Sequence, residues 1–211
     1  MPQNLDILLP ILEAQPVIPV IVIDNAAHAV PLARALAAGG LPAVEITLRT
    51  PAAHDAIRAV ADAVPEAIVG AGTALNEKQF DQAVAAGSKF VVSPGFTRSL
   101  GLHAARGDVP LLPGVSSPSE IMDAAECGYS VLKFFPAQQS GGAPYLKSLA
   151  SPFSGIRFCP TGSITAQTAN DYLALPNVIC VGGSWVAPKQ AMDNGDWNQI
   201  TELAQAAAKL G

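Results

Sequence analysis

Eight apolar runs of strand length recur along this 211-residue chain: VIPVIVI (17–23), AVEITL (43–48), AIVGAGT (67–73), FVVSPG (90–95), PLLPGVS (110–116), VLKFFPA (131–137), IRFCPTG (156–162) and VICVGGS (178–184). Segments with helical spacing separate them, among them AHAVPLARALAAGG (27–40), NEKQFDQAVAAGS (76–88) and SPSEIMDAAECG (117–128). Continuously apolar strands alternating with helices imply a parallel sheet covered by helices. The strand ends fall near 23, 45, 73, 94, 114, 133, 161 and 182. One unit is therefore roughly 20–30 residues, the length of a βα pair, and eight of them predict a closed (β/α)8 barrel, the TIM-barrel form of the α/β class. An open doubly wound sheet would more often carry GxGxxG after its first strand, and this chain has none. The expected organisation is one domain over 1–211 with an N-terminal helical segment at 1–15. Asn76, Ser117 and Glu120 are expected at helix N-termini as caps or first-turn acids, and several helices end on glycine before the next strand.

Composition limits the partners. Half of the residues are hydrophobic, 14% are charged and mean hydropathy is +0.33, a balance that favours a folded core over disorder. The formal charge of −5 argues against nucleic acid or an anionic membrane, yet leaves room for a small anion bound by helix N-termini and one or two cations. Cys127, Cys159 and Cys180 form no CxxC pattern, so reduced thiols and no metal site are expected. The N-terminal MPQNLDILLPILEAQP carries Asp6, Glu13 and interior prolines and lacks a basic leader, so a cytoplasmic location is expected.

Polar residues that interrupt the apolar runs carry the chemistry. Lys133 lies within VLKFFPA, where strand parity sends Val131, Lys133 and Phe135 to one face and Leu132 and Phe134 to the other. In AVEITLRT the residues Glu45, Thr47 and Arg49 share a face. In a barrel whose site lies at the C-terminal strand ends, parity lets Glu45, Arg49, Thr73, Lys133 and Thr161 converge inside or at the mouth. A buried Lys–Glu pair is able simply to neutralise itself. Burial also favours the neutral amine that Schiff-base chemistry needs, and several polar groups gather at neighbouring strand ends. CPTGS (159–163) and CVGGSW (180–185) are small turns after the seventh and eighth strands, where barrels often hold phosphate. Gly162, Gly182 and Gly183 allow close backbone approach there, and Ser163 and Ser184 offer hydroxyls. His28, His54 and His103 are expected at the surface, and Trp185 and Trp197 in local packing. HExxH and GxSxG are absent, so metal-dependent and serine hydrolysis lack their parts.

VIPVIVI, VEITLRT, IVGAGT, VVSPGF, PLLPGVSSPSE, LKFFPA, RFCPTGSI and VGGSW together resemble the class I family of 2-keto-3-deoxy-6-phosphogluconate (KDPG) and 4-hydroxy-2-oxoglutarate aldolases, in register from about residue 16 to 203. The resemblance implies cofactor-free and metal-free cleavage of a phosphorylated keto acid to pyruvate and glyceraldehyde 3-phosphate, as in the Entner–Doudoroff pathway, by a homotrimer. It implies that Lys133 forms the Schiff base and that Glu45 transfers protons. Arg49, Thr73, Pro94, Phe135 and Thr161 would line the pyruvate end, and Gly162, Ser163, Gly182, Gly183 and Ser184 the phosphate end. Two departures stand out: PTGSI replaces the usual PTGGI, putting a side chain at Ser163, and Gln138 replaces the acid that often follows FFPA. Cleavage of 4-hydroxy-2-oxoglutarate to pyruvate and glyoxylate, the galacto-epimeric sugar acid as substrate, and a non-catalytic sugar-phosphate-binding barrel are the competing expectations.

Overall fold

A computed structural model describes residues 3–211. Its strands are β1 (Val17–Ile21), β2 (Ala43–Thr47), β3 (Ile68–Gly72), β4 (Val91–Val92), β5 (Leu111–Leu112), β6 (Gly114–Val115), β7 (Val131–Phe134), β8 (Arg157–Pro160) and β9 (Val181–Gly183). Every strand pairing is parallel. The order β5-β4-β3-β2-β1-β9 forms one run and β6-β7-β8 another. β5 and β6 flank Pro113, which supplies no N–H to the ladder. They are halves of one barrel position, the first pairing with β4 and the second with β7. Bridges Phe158↔Val178 and Thr161↔Gly182 join the β8 side to the β9 side. The ring is thereby closed, giving the (β/α)8 barrel expected from the eight apolar runs.

The helices are α1 (Leu5–Glu13), α2 (Ala29–Ala38), α3 (Ala53–Ala63), α4 (Glu77–Ala85), α5 (Arg98–Ala104), α6 (Pro118–Glu126), α7 (Gly142–Ser148), α8 (Ala169–Leu173), α9 (Lys189–Asn194) and α10 (Trp197–Ala207), with a 3-10 turn at Ala26–His28. Asn76 caps α4 by accepting from the Gln79 amide, and Ser117 with Glu120 closes a capping box on α6. After α2, α4 and α6 the chain turns through Gly40, Gly87 and Gly128 at φ +88°, +103° and +86°. The N-terminal helix falls inside the expected 1–15 segment, of which residues 1 and 2 lie outside the described residues.

Strand parity separates two apolar layers. Val44, Ile46, Leu132, Phe134 and Phe158 face the helices with Leu32, Leu36, Ile57 and Val60. Ile18, Ala43, Phe90, Val92, Leu112, Val131, Cys159 and Cys180 fill the barrel, where Leu8, Ile11 and Leu12 of α1 pack against them. Helix α1 thus forms the barrel floor. Burying those three side chains contributes on the order of 5–9 kcal/mol as an upper bound.

Two buried glutamines fasten this floor. Gln3 donates to the carbonyls of Leu111 and Val131 at 2.9 Å each and accepts from the amides of Ser130 and Val131. Gln15 donates to the carbonyls of Val17 (2.7 Å) and Ala43 (2.8 Å) and accepts from the Ala43 amide (2.7 Å). Each side chain satisfies backbone groups near the strand starts, which would otherwise be costly to bury.

Candidate active site

Along the strands the interior positions change from apolar to polar toward the C-terminal end: Ala43, Glu45 and Thr47 on β2, Val131 and Lys133 on β7, then Cys159 and Thr161 on the β8 side. Lys133 Nζ lies 3.4 Å from Glu45 Oε1, and each side chain is only 4% exposed. The same amine sits 5.1 Å from the centre of the Phe135 ring. A cation there would be attracted to the ring face. The carboxylate depends on a glycine: a Cβ on Gly72 would come within 2.0 Å of Glu45 Oε1. A glycine inside a strand marks such an approach, so "VGAGT" carried a signal that parity alone does not use.

Above the pair opens a cavity of about 570 Å³. Arg49, Phe135, Thr161, Gly162, Ser163, Gly182, Gly183 and Ser184 all line it. Lys133, Glu45, Thr73 and Pro94 do not reach its wall. Thr73 joins through Arg49, whose Nε donates to the Thr73 hydroxyl at 3.2 Å. Pro94 adjoins β6, because a Cβ on Gly114 would meet its carbonyl at 2.2 Å, and Gly114 is the register partner of Lys133. Thr161 is buried and presses on Gly182, where a Cβ would lie 2.2 Å from Thr161 Oγ1. Only glycine fits at that point of barrel closure.

Two site residues other than glycine hold left-handed backbone, Thr73 at φ +64° and Ser163 at φ +54°. For a β-branched threonine this conformation is a true outlier, of the kind that clusters at functional sites. Neither was legible in residue types. Asp24 and Lys189, also at the cavity, were missed as well: they come from the β1 and β9 ends and meet only because the barrel closes. Lys189 donates to Asp24 at 2.8 Å and to Asp193 at 3.3 Å, and these hydrogen bonds hold its ammonium above the usual lysine range.

The two tryptophans pack locally as expected, and the histidines depart from expectation. Trp185 covers Gly183, and Trp197 meets His28 edge to face. His28, His54 and His103, expected at the surface, are half-buried instead. His103 packs edge-on against Phe80 and contacts Asp81 at 2.7 Å, a setting made by α4 lying beside α5. Among the described residues no group of three or more His, Cys, Asp or Glu side chains is placed to hold a metal ion, and no helix is long and apolar enough to cross a membrane.

Fold and site together define a (β/α)8-barrel protein with a buried amine beside a carboxylate, beneath a rim of glycine and serine turns. Residues 9–203 match the family model for KDPG and KHG aldolase. The chain belongs to that family. It is 51% identical to the KHG/KDPG aldolase of Escherichia coli K12 over 199 residues, 94% of this chain and 93% of that one. It is 50% identical to the 2-dehydro-3-deoxy-phosphogluconate aldolase of Zymomonas mobilis over 198 residues, with 94% and 93% covered. Among solved structures, the KDPG aldolase of Legionella pneumophila, with pyruvate captured at low pH as a covalent carbinolamine intermediate, aligns with TM-score 0.92 and 47% identity over 94% of this chain and 97% of that one. The Zymomonas mobilis ZM4 enzyme with 3-phosphoglycerate aligns with TM-score 0.93 and 48% identity, covering 99% and 97%.

Proposed function

We propose that this chain is a class I aldolase cleaving 2-dehydro-3-deoxy-6-phosphogluconate to pyruvate and D-glyceraldehyde 3-phosphate. The observation that carries the reading is the Lys133–Glu45 pair, 3.4 Å apart and almost fully buried at the polar end of the barrel. A pair needed only for mutual neutralisation would not require an open polar rim above it. The carbinolamine captured in the Legionella pneumophila relative supports covalent chemistry of the same kind.

In this mechanism the neutral Lys133 amine attacks the substrate C2 carbonyl. The carbinolamine loses water to give an iminium, and Glu45 stands close enough to move protons in that step. Glu45, directly or through a water, then takes the C4 hydroxyl proton as the C3–C4 bond breaks and its electrons flow into the iminium. Glyceraldehyde 3-phosphate leaves, the enamine takes a proton at C3, and water releases pyruvate and the free amine. Arg49, held by Thr73, pairs with the substrate carboxylate. Phe135, Pro94 and Thr161 bound the pyruvate end, while Gly162, Ser163, Gly182, Gly183 and Ser184 receive the phosphate.

Borohydride trapping with pyruvate, followed by peptide mass spectrometry, tests the assignment. A reduced adduct on Lys133 is expected, and its absence from folded protein would overturn the Schiff-base reading. Cleavage of 4-hydroxy-2-oxoglutarate to pyruvate and glyoxylate is the second activity to assay, since the Escherichia coli relative is called a KHG/KDPG aldolase. We also propose one aldolase domain over 1–211 acting as a cytoplasmic homotrimer, which sedimentation equilibrium tests for its subunit number.

A further inference from the structure

The loop after β7 is laced to the loop after β8. The Ala137 amide donates to the Thr161 carbonyl at 2.8 Å and the Gln138 amide to the Gly162 carbonyl at 3.3 Å. Gln138 Oε1 accepts from the Tyr172 hydroxyl at 2.9 Å, so this side chain is turned toward α8. Gln139 turns the other way, and its Nε2 donates to Ser163 Oγ at 2.8 Å. Ser163 itself lines the cavity together with Gly162, Gly183 and Ser184. The Ser163 and Ser184 backbone amides donate to no protein acceptor among the described residues.

A serine hydroxyl has one hydrogen to donate and two lone pairs with which to accept. When Gln139 donates to a lone pair, the Ser163 hydrogen stays available for another acceptor. We propose that Gln139 is a positioning residue for substrate phosphate: it holds the Ser163 hydroxyl as a donor toward the anion, and so sets preference for a phosphorylated over an unphosphorylated keto acid. This rests on the proposed aldolase reading and deepens its phosphate end. The left-handed backbone of Ser163, φ +54°, belongs to the same device, since the residue keeps a conformation that glycine would adopt more easily.

The test measures kcat and KM for the phosphorylated six-carbon substrate and for 4-hydroxy-2-oxoglutarate in wild type, Gln139→Ala, Gln139→Glu, Ser163→Gly and the Gln139→Ala/Ser163→Gly double variant. Gln139→Ala is expected to raise KM for the phosphorylated substrate about fivefold with kcat within twofold, the signature of lost binding rather than lost chemistry. Gln139→Glu should raise it about tenfold or more, because a carboxylate takes the hydroxyl hydrogen and repels phosphate. KM for 4-hydroxy-2-oxoglutarate should move less than twofold in both. In the Ser163→Gly background Gln139→Ala should add nothing further, since the group it orients is gone. Equal losses on both substrates, an unchanged phosphorylated-substrate KM, or full additivity with Ser163→Gly would overturn the proposal. Pyruvate trapping on Lys133, run in the same proteins, separates the two failures. A wild type that does not trap defeats the aldolase reading, whereas normal trapping with a silent Gln139→Ala defeats only the role of Gln139.

Discussion

Replacing Gln15 with leucine tests whether the floor of the barrel is held by side-chain hydrogen bonds or by apolar packing alone. Gln15 is 3% exposed and makes three bonds, all to backbone groups of Val17 and Ala43, which are themselves fully buried. Leucine has similar bulk and removes all three. At about 1 kcal/mol for each net bond the loss is about 3 kcal/mol, and the stranded Ala43 amide pushes it upward while added apolar burial offsets part. The expected range is about 2–4 kcal/mol. For a chain of this length that corresponds to a fall in thermal midpoint of roughly 5–15 °C. Urea unfolding followed by far-ultraviolet circular dichroism, at fixed protein concentration, should show a lower midpoint with an unchanged slope. Gln15→Glu keeps the acceptor but exchanges two donor bonds for a buried acid, so it should be less stable than the leucine variant. Values of kcat/KM should hold for folded Gln15→Leu, because the change lies at the end of the barrel away from Lys133. A loss below about 1 kcal/mol in Gln15→Leu would refute the reasoning and assign the floor to Leu8, Ile11 and Leu12 alone.

Glu45→Gln should still form the reducible pyruvate adduct on Lys133 while turnover falls by about 100-fold or more, a split that single-turnover kinetics resolves. Lys133→Ala should abolish trapping and also lower unfolding stability by about 3–5 kcal/mol, because the buried Glu45 carboxylate loses its partner, and adding Glu45→Gln should restore part of that loss. Burial pulls the Glu120 carboxyl upward, but hydrogen bonds from the amides and hydroxyls of Ser116 and Ser117 outweigh it and hold the group below its ordinary range. A depressed folded-state value means that this stabilisation is present above the unfolded-state value and is lost as pH falls through the folded one. Glu120→Gln should therefore flatten the acid limb of the stability profile, measured by urea midpoints across pH.

Much of the architecture follows from local rules. Apolar run length and spacing carried the barrel, parity carried Glu45 and Lys133 to its inside, and Asn76, Ser117 and Glu120 marked helix starts because capping depends on neighbours within a few residues. What stayed hidden depends on distant pieces of chain meeting. Gln3 and Gln15 read as polar residues flanking a short helix, and nothing local shows that β-strand backbone from 28 or 128 residues away lies within reach. Arg49 follows Glu45 in parity, yet β2 ends at Thr47 and the guanidinium stands exposed at the rim. Asp24 with Lys189, and Gln139 with Ser163, likewise pair across loops whose contact exists only after closure.

The helix that closes the barrel floor also dictates traffic. With α1 across one end, substrate and products share a single door. In the proposed reaction pyruvate is tethered deep at Lys133, and the phosphorylated aldehyde lies between it and solvent. Departure is then ordered, aldehyde first and pyruvate last, and the condensation direction must load pyruvate before its partner. Steady-state inhibition would carry that order as a pattern: pyruvate competing with the sugar acid, and glyceraldehyde 3-phosphate inhibiting noncompetitively. In that reaction the covalent bond at Lys133 sets the order in which the products leave, and the floor of three apolar side chains and two glutamines leaves them one exit.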